Sequence, residues 1–501
     1  MFKIKALLTK AFGAAHIPKN VVEKKPGKRR RLLFLLLALF HTLGALSSLD
    51  ALMSSRTSQG SIAWIISLNT FPYAAVPAYW VFGRSRFQGY VISRKEADNE
   101  LFSKHQLKTA NVEQYLMAAD RIRGNIAAIE QLAKLPFLSA NHAKLLIDGE
   151  QTFASIFDGI QRAEHYILVQ FYIVRDDTLG RQLQQLLIEK ARSGVAVYFL
   201  FDEIGSYRLS KRYIRELDEA GVAVRPFHST KGPGNRFQLN FRNHRKIVIT
   251  DGHYGWLGGL NVGDEYLGQD PRFGEWRDTH MRLSGPAVLS LQLSFVEDWF
   301  WSSEQLPTLN WQAKPANGAD MPVLIVPSGP ADRFETASLM IQHALNSATE
   351  RIWIASPYFV PDEGTIAALK LAALRGVDVR ILIPERTDNM LVSLAAYAFV
   401  APLLDAGVKI YRYQQGFLHA KSFLVDDQIS AVGTVNLDNR SFRLNFEITA
   451  LVADITLNAQ LSQQFRADFA LSRQMSLAEV LSRPWYKRAA SQAANLLSPV
   501  L

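Results

Sequence analysis

Two stretches of the chain carry the same polar residues at the same spacing. "NHRKIVITDGHYGWLGGLN" (243–261) and "LHAKSFLVDDQISAVGTVN" (418–436) both read His-x-Lys, four residues, Asp, six residues, Gly-[Gly/Thr]-x-Asn. They align His244, Lys246, Asp251 and Asn261 with His419, Lys421, Asp426 and Asn436. Histidine titrates near neutrality, so one imidazole can attack while another gives and takes a proton. Displacement at phosphorus through a covalent intermediate needs that pair, with cations or amides around the equatorial oxygens. Two lysines and two asparagines supply the latter, and the set requires no metal and no cofactor. A metal site is poorly matched, because Lys stands where a His-x-His pair would place its second ligand. The chain has no cysteine, which excludes disulfides, thiolate zinc sites and cysteine nucleophiles.

Spacing assigns further roles. On a strand, His244 and Lys246 point to one face, as do His419 and Lys421. Asp251 and Asp426 complete the motif but fall where a strand would turn, which reads as structural. Glu447 in "NFEIT" follows His419, and Asp278 in "WRDTHMRL" follows His244, each opening a similar alternating run. A carboxylate there is expected to accept from the Nδ1–H of its own repeat's histidine, fixing the tautomer and leaving Nε2 free.

The duplication extends to the elements that must hold these residues. "YILVQFYIV" (166–174), "LGRQLQQLLIEKARSG" (179–194), "VAVYFLF" (195–201) and "GVAVRPF" (221–227) alternate strand, helix, strand, strand. "ERIWIASPYFVPD" (350–362) repeats "EHYILVQFYIVRD" (164–176), and Gly407 repeats Gly221 in "DAGVKIY". The offset narrows before His419, so the first copy holds extra residues between Arg225 and His244. The expected architecture is α/β, with domains over 141–301 and 323–501, a polar linker over 302–322 and a helical connector over 85–140. Phe171 and Tyr172 read as core. "LVSLAAYAFVAPLL" (391–404) reads as either a core helix or an acyl-chain-facing surface, and Trp485 to Arg488 as either an interfacial anchor or an ordinary exposed helix end.

The net charge of +10 is concentrated. Residues 1–31 hold ten Lys or Arg and one acid, Glu23, so the rest of the chain is nearly neutral. A nuclease tracking phosphate backbones would be basic around its groove, so nucleic acid is not an expected partner. After "KRRR" come two apolar runs, about 32–53 and 61–82, each near the roughly 20 residues a membrane helix needs. Basic residues on both outer flanks place the N-terminus and everything beyond residue 84 in the cytoplasm. Pro72 and Pro77 weaken the second run as a straight span.

The two motifs resemble the HKD motifs of the phospholipase D superfamily, and the likeness covers about residues 140–501. "WRDTHMRLSGPAV" (276–288), "SPYFVPDE" (356–363), "GTVNLDNRSFRLNFE" (433–447) and "LLSPVL" (496–501) resemble bacterial cardiolipin synthases. The resemblance implies two α/β-sandwich domains related by pseudo-twofold symmetry behind a two-helix hairpin (32–84) in the bacterial inner membrane. It implies phosphatidyl transfer between two phosphatidylglycerol molecules through a phosphohistidine, with His244 as nucleophile and His419 as acid and base. Thr434, where the first motif has Gly259, is compatible with phosphate binding. A hydrolytic phospholipase D would share these residues; a nuclease or an inactive scaffold fits less well. Neither oligomeric state nor the choice between phosphatidylglycerol and phosphatidylethanolamine as acceptor is legible.

Overall fold

The two copies share one sheet. In the computed structural model, which describes residues 28–54, 57–83, 86–103, 111–118, 126–228, 230 and 240–501, sixteen strands lie in a single array. The basic residues 1–27 and most of the extra segment before His244 lie outside the described residues.

At the centre of the sheet, Leu138–Ile147 pairs antiparallel with Met321–Ser328, Leu138 opposite Val323. Outward from this seam the first copy runs Thr279–Ser284, Tyr254–Gly258, Ile247–Thr250, Tyr166–Phe171, Ala196–Asp202 and Ala223–Phe227. The second runs Asn445–Ala453, Ile429–Gly433, Ser422–Val425, Arg351–Ala355, Asp378–Pro384 and Lys409–Tyr413, with Ser472–Gln474 at its edge. In both copies the strands from Tyr166–Phe171 or Arg351–Ala355 outward to Ala223–Phe227 or Lys409–Tyr413 pair in parallel, and those nearer the seam are antiparallel.

Alternation assigns the faces. Val323 and Ile325 enter a core that spans the seam beneath helices Ala287–Ser303 and Ile455–Ala470. Leu324 and Val326 enter the opposite core, where helices Thr336–Ser347, Glu363–Leu374 and Met390–Asp405 cover the second copy. Met390–Asp405 is thus a core helix through Ala396, Val400 and Leu403, although Met390 at its start is exposed. Trp485 and Tyr486 are also exposed.

The central strand Leu138–Ile147 begins inside the segment expected to be a helical connector. Its polar Asn141, His142 and Lys144 hid the strand pattern. The same segment contributes Phe87 and Tyr90, both buried, to the seam-spanning core, where they pack with Phe241, Trp301 and Phe446.

The described residues up to Gly83 form a separate compact unit. Lys28–Ser54 is one continuous helix of 27 residues, about 40 Å long at 1.5 Å per residue. It is long and apolar enough to cross a membrane. The second apolar run is not one helix: it is Ser58–Thr70 and Pro72–Phe82, broken at Phe71. Pro72 starts the second piece, having no N–H to continue the first and disfavouring helical backbone at Phe71; Pro77 is accommodated inside the helix. Gly44 lets the pieces approach the long helix, since a Cβ there would stand 2.3 Å from the Leu68 carbonyl. Tyr79 donates to Asp50 at 2.7 Å and Asn69 to Ser48 at 2.8 Å.

Candidate active site

The sheet's two halves exchange backbone beside each motif. Arg242–Asn243 pairs in parallel with Asn445–Phe446, and Phe417–Leu418 with Trp276–Arg277. His244 N–H donates to the Phe446 carbonyl at 2.9 Å, and His419 N–H to the Arg277 carbonyl at 2.8 Å. Residues 244–246 and 419–421 therefore sit between strands rather than within one, because their backbone is taken by the other copy. The next residue after each accepting carbonyl carries a carboxylate. Glu447 Oε2 lies 2.8 Å from His244 Nδ1, and Asp278 Oδ2 lies 2.8 Å from His419 Nδ1. The expected pairing within each repeat is corrected to a crossed one.

The two histidines differ at Nδ1. At His244 the ring nitrogen meets only carboxylate oxygens, so it carries the proton and Nε2 keeps a lone pair. At His419 the same nitrogen faces both Asp278 and Lys421 Nζ, each at 2.8 Å. One partner accepts a proton and the other donates one, so both tautomers of His419 have a supporting contact. Lys421 Nζ also bonds the His419 carbonyl, as Lys246 Nζ bonds the His244 carbonyl at 2.6 Å, and Lys246 Nζ stands 5.5 Å over the Tyr172 ring.

Lys246 and Lys421 are 0% and 3% exposed, and His244 and His419 only 8% and 7%, so charge must balance locally. Two ammonium groups face two carboxylates, leaving the imidazoles neutral. Burial lowers His244 to about 4 against the opposing pull of Glu447, and lowers Lys421 to about 8. Burial, then Lys421, Lys246 and His244, also hold His419 well below its ordinary value. Glu447 is pushed up by burial, but His244 and Lys246 outweigh this and hold it below the usual carboxylate range. All four motif cations and imidazoles thus form one electrostatic cluster, and a phosphodiester would add the negative charge that stabilises a proton on an imidazole.

The motif aspartates lie apart from the histidines and organise turns. Asp251 and Asp426 adopt left-handed backbone, φ 53° and 49°. Asp251 accepts from the N–H groups of Glu164, His165 and Tyr166 at 2.8–2.9 Å, and Asp426 from those of Glu350 and Arg351 at 2.8 and 2.9 Å. Each pins a hairpin turn to the start of the neighbouring strand. Asn261 Oδ1 accepts from Ile173 N–H at 3.0 Å, while the buried Asn436 Oδ1 has no partner among the described residues. The Thr434 hydroxyl accepts from Ile448 N–H at 2.9 Å and hydrogen-bonds the Glu447 carboxylate. Gly259 has no such freedom, since a Cβ there would meet the Asp278 carboxylate at 2.0 Å.

Several supporting residues carry no motif. Arg245, beside His244, is clamped by Asp298 at 3.0 Å, and Asp298 also accepts from Tyr90 at 2.6 Å, Gln170 at 2.7 Å and Asn243 at 2.9 Å. Arg277, beside Asp278, makes a two-pronged pair with Asp468 at 2.9 and 2.8 Å. Removing one member of such a buried pair costs about 3–5 kcal/mol. Tyr172 is not simply core: its ring edge meets His244 at 5.0 Å between centroids, as Trp276 meets His419 at 5.1 Å. Phe171 is core, 1% exposed.

The sequence matches the family described as "Cardiolipin synthase, PLD-like domain" over residues 156–270 and 341–469. A curated "Cardiolipin synthase A" of Pseudomonas fluorescens Pf-5 is 46% identical over 471 residues, spanning 93% of this chain and 98% of the relative. The chain belongs to the phospholipase D-type cardiolipin synthase family. A second such relative, from Pseudomonas entomophila L48, is 46% identical over 474 residues, 93% of this chain and 98% of its own. Among solved structures, phosphatidylserine synthase of Haemophilus influenzae Rd KW20 superposes with a TM-score of 0.58, covering 75% of this chain and all of that one. At 16% identity this is a likeness of fold. Membership fits the residues on the page: the two matched segments carry the motif histidines, His244 and His419.

Proposed function

We propose that the protein is a phosphatidyltransferase that makes cardiolipin and glycerol from two molecules of phosphatidylglycerol. The carrying observation is the pair of buried imidazoles, each backed by the other half's carboxylate, in one cluster with two lysines. His244, whose Nδ1 meets only Glu447, presents a lone pair on Nε2 and attacks phosphorus. The P–O bond to the headgroup glycerol breaks, His419 protonates the departing oxygen, and glycerol leaves. Lys246 and Lys421 offset the charge gathering on the equatorial oxygens.

In the second half-reaction His419 removes the proton from a headgroup hydroxyl of the second lipid. That oxygen attacks phosphorus, the P–N bond to His244 breaks, and cardiolipin forms. Asp278 and Lys421 at His419 Nδ1 suit a residue that changes protonation state twice, which supports His419 as acid and base. The N-terminal apolar helix supports attachment to the bacterial inner membrane, and "KRRR" beside it supports a cytoplasmic catalytic unit.

Full-length protein supplied with headgroup-labelled phosphatidylglycerol tests this reading. Cardiolipin and labelled free glycerol are expected in equal amounts, with reversal by excess glycerol. Phosphatidic acid as the main product, without reversal, would make the enzyme a hydrolase.

A further inference from the structure

Helix Trp485–Asn495 turns its apolar side outward. Its buried residues are Ser491 and Ala494. Away from them, Trp485, Ala489, Ala493 and Leu497 follow one another at a spacing of four, with Tyr486, Ala490 and Leu496 alongside. All of these are exposed, Trp485 to 78% and Leu496 to 82%. A helix that covers a soluble core carries the reverse pattern, apolar inward and polar outward. Lys487 and Arg488 are exposed in its first turn, and no acid occurs from Trp485 to Leu501.

The patch continues onto helix Met390–Asp405. Val360, Val392, Ala395 and Ala494 form one buried cluster, and the Arg483 guanidinium lies 3.5 Å over the Tyr397 ring. The two helices therefore run antiparallel, with Met390 and Leu391 at the end shared with Leu496 and Leu497. Met390 is 75% exposed and Leu391 is exposed beside it. That end borders the reaction centre. Strand Phe359–Val360 pairs with Leu437–Asp438, directly after motif residue Asn436. Asp388, two residues before Met390, accepts from Tyr358 at 2.6 Å and acts electrostatically on Lys421.

A contiguous exposed apolar face beside a reaction centre is a docking surface. Its chemistry matches a bilayer: aromatic rings for the headgroup level, aliphatic tips for the acyl boundary, and cations for anionic lipid. We propose that Met390, Trp485, Tyr486, Leu496 and Leu497 dock the rim of the active site on the surface of an anionic lipid bilayer. The inference rests on the reading of the site as one that takes membrane lipids, and it adds the face that meets them. It is an attachment made by the catalytic unit itself, besides the N-terminal apolar helix. Docking there lets a headgroup reach the histidines while the acyl chains stay out of water.

Because the chain has no cysteine, one introduced thiol reports a single position in the full-length protein. Leu496→Cys and Met390→Cys, each carrying a fluorophore, should be quenched at least twofold by nitroxide-bearing phosphatidylcholine in phosphatidylglycerol vesicles. Ile455→Cys, also exposed but starting a helix on the opposite face of the sheet, should not. Quenching at Leu496 and Met390 no greater than at Ile455 overturns the proposal. Lys487→Gln with Arg488→Gln should weaken the quenching, and indifference to that change overturns the anionic assignment. Trp485→Ser with Leu496→Ser should lower turnover of vesicle phosphatidylglycerol at least fivefold relative to a short-chain, monomeric phosphatidylglycerol. An unchanged ratio overturns the proposal; should that variant fail to fold, quenching in the labelled proteins decides alone. Energy transfer between two labelled copies, in place of lipid quenching, would make the face a self-interface and overturn it likewise. Wild type turning over neither lipid while quenching persists would instead remove the transferase reading and leave the docking face standing.

Discussion

Glu447 stands 203 residues beyond His244 in the chain and 2.8 Å from its Nδ1. The reciprocal bond, Asp278 to His419, spans 141 residues. Neither half therefore contains a complete histidine–carboxylate pair. Glu447→Gln keeps the side chain's shape but offers an N–H to Nδ1, favouring the tautomer that protonates Nε2. Formation of the phosphohistidine should slow by about 10²–10⁴, and Asp278→Asn should instead slow proton transfer through His419. Rapid trapping of the covalent intermediate separates the two. Intermediate formation at the wild-type rate in Glu447→Gln would remove the crossed pairing from the mechanism.

The pH profile follows from burial. His244 is held at about 4, so its nucleophilic neutral form persists as pH falls from 7 to about 5. Lys421 is held at about 8, so the charge facing the phosphate is present below that value and lost as pH rises through it. The kcat/KM profile should show no acid limb near neutrality from His244 and should fall as pH rises, as His419, held well below its ordinary value, loses the proton it donates and then as Lys421 loses its charge. An acid limb near the ordinary histidine value of about 6.5 would show that the imidazoles behave as solvated groups.

Gly259→Ala tests a position where the two motifs differ, glycine standing against Thr434. The added methyl group meets the Asp278 carboxylate, so stability should drop by about 1–3 kcal/mol and activity should fall through His419. Thr434→Ser retains the hydroxyl bonded to Ile448 and should remain close to wild type in both. Calorimetry with a parallel activity assay reads the contrast; an unaffected Gly259→Ala would mean that Asp278 has room the geometry denies it.

Topology can be read directly. A reporter after Leu501 should behave as cytoplasmic, and a tag beside Ser58 should be reached from outside. Pro72 and the break at Phe71 make the second apolar run the critical element. Protection of the Ser58 tag would indicate a helix pair that dips into one leaflet.

Much of the site was legible because duplication repeats polar residues at fixed spacing, and chance does not. His244, Lys246, His419, Lys421 and the orienting roles of Asp278 and Glu447 follow from that pattern. The crossing does not, since equivalent halves leave pairing within and between them indistinguishable until the exchanged strands are seen. Arg245, Arg277, Asp298 and Asp468 were hidden for another reason: a buried ion pair between distant segments leaves no periodic mark. Tyr172 was misread because it follows a buried strand, where an aromatic ordinarily packs. Strand Leu138–Ile147 was missed because its polar residues broke the alternation that identifies half-buried strands.

The seam between Leu138–Ile147 and Met321–Ser328 has an evolutionary consequence. Two identical subunits joined by such a seam would have to remain self-complementary, so every substitution would appear twice. Once both copies lie in one chain, each side can change alone. Asp278 with Gly259 and Glu447 with Thr434 are two solutions to one spatial problem, and Arg245 stands where the second motif has Ala420, a charge without a twin. A fused ancestor could thereby give one imidazole the bond-forming task and the other the proton traffic, a division of labour closed to a symmetric pair.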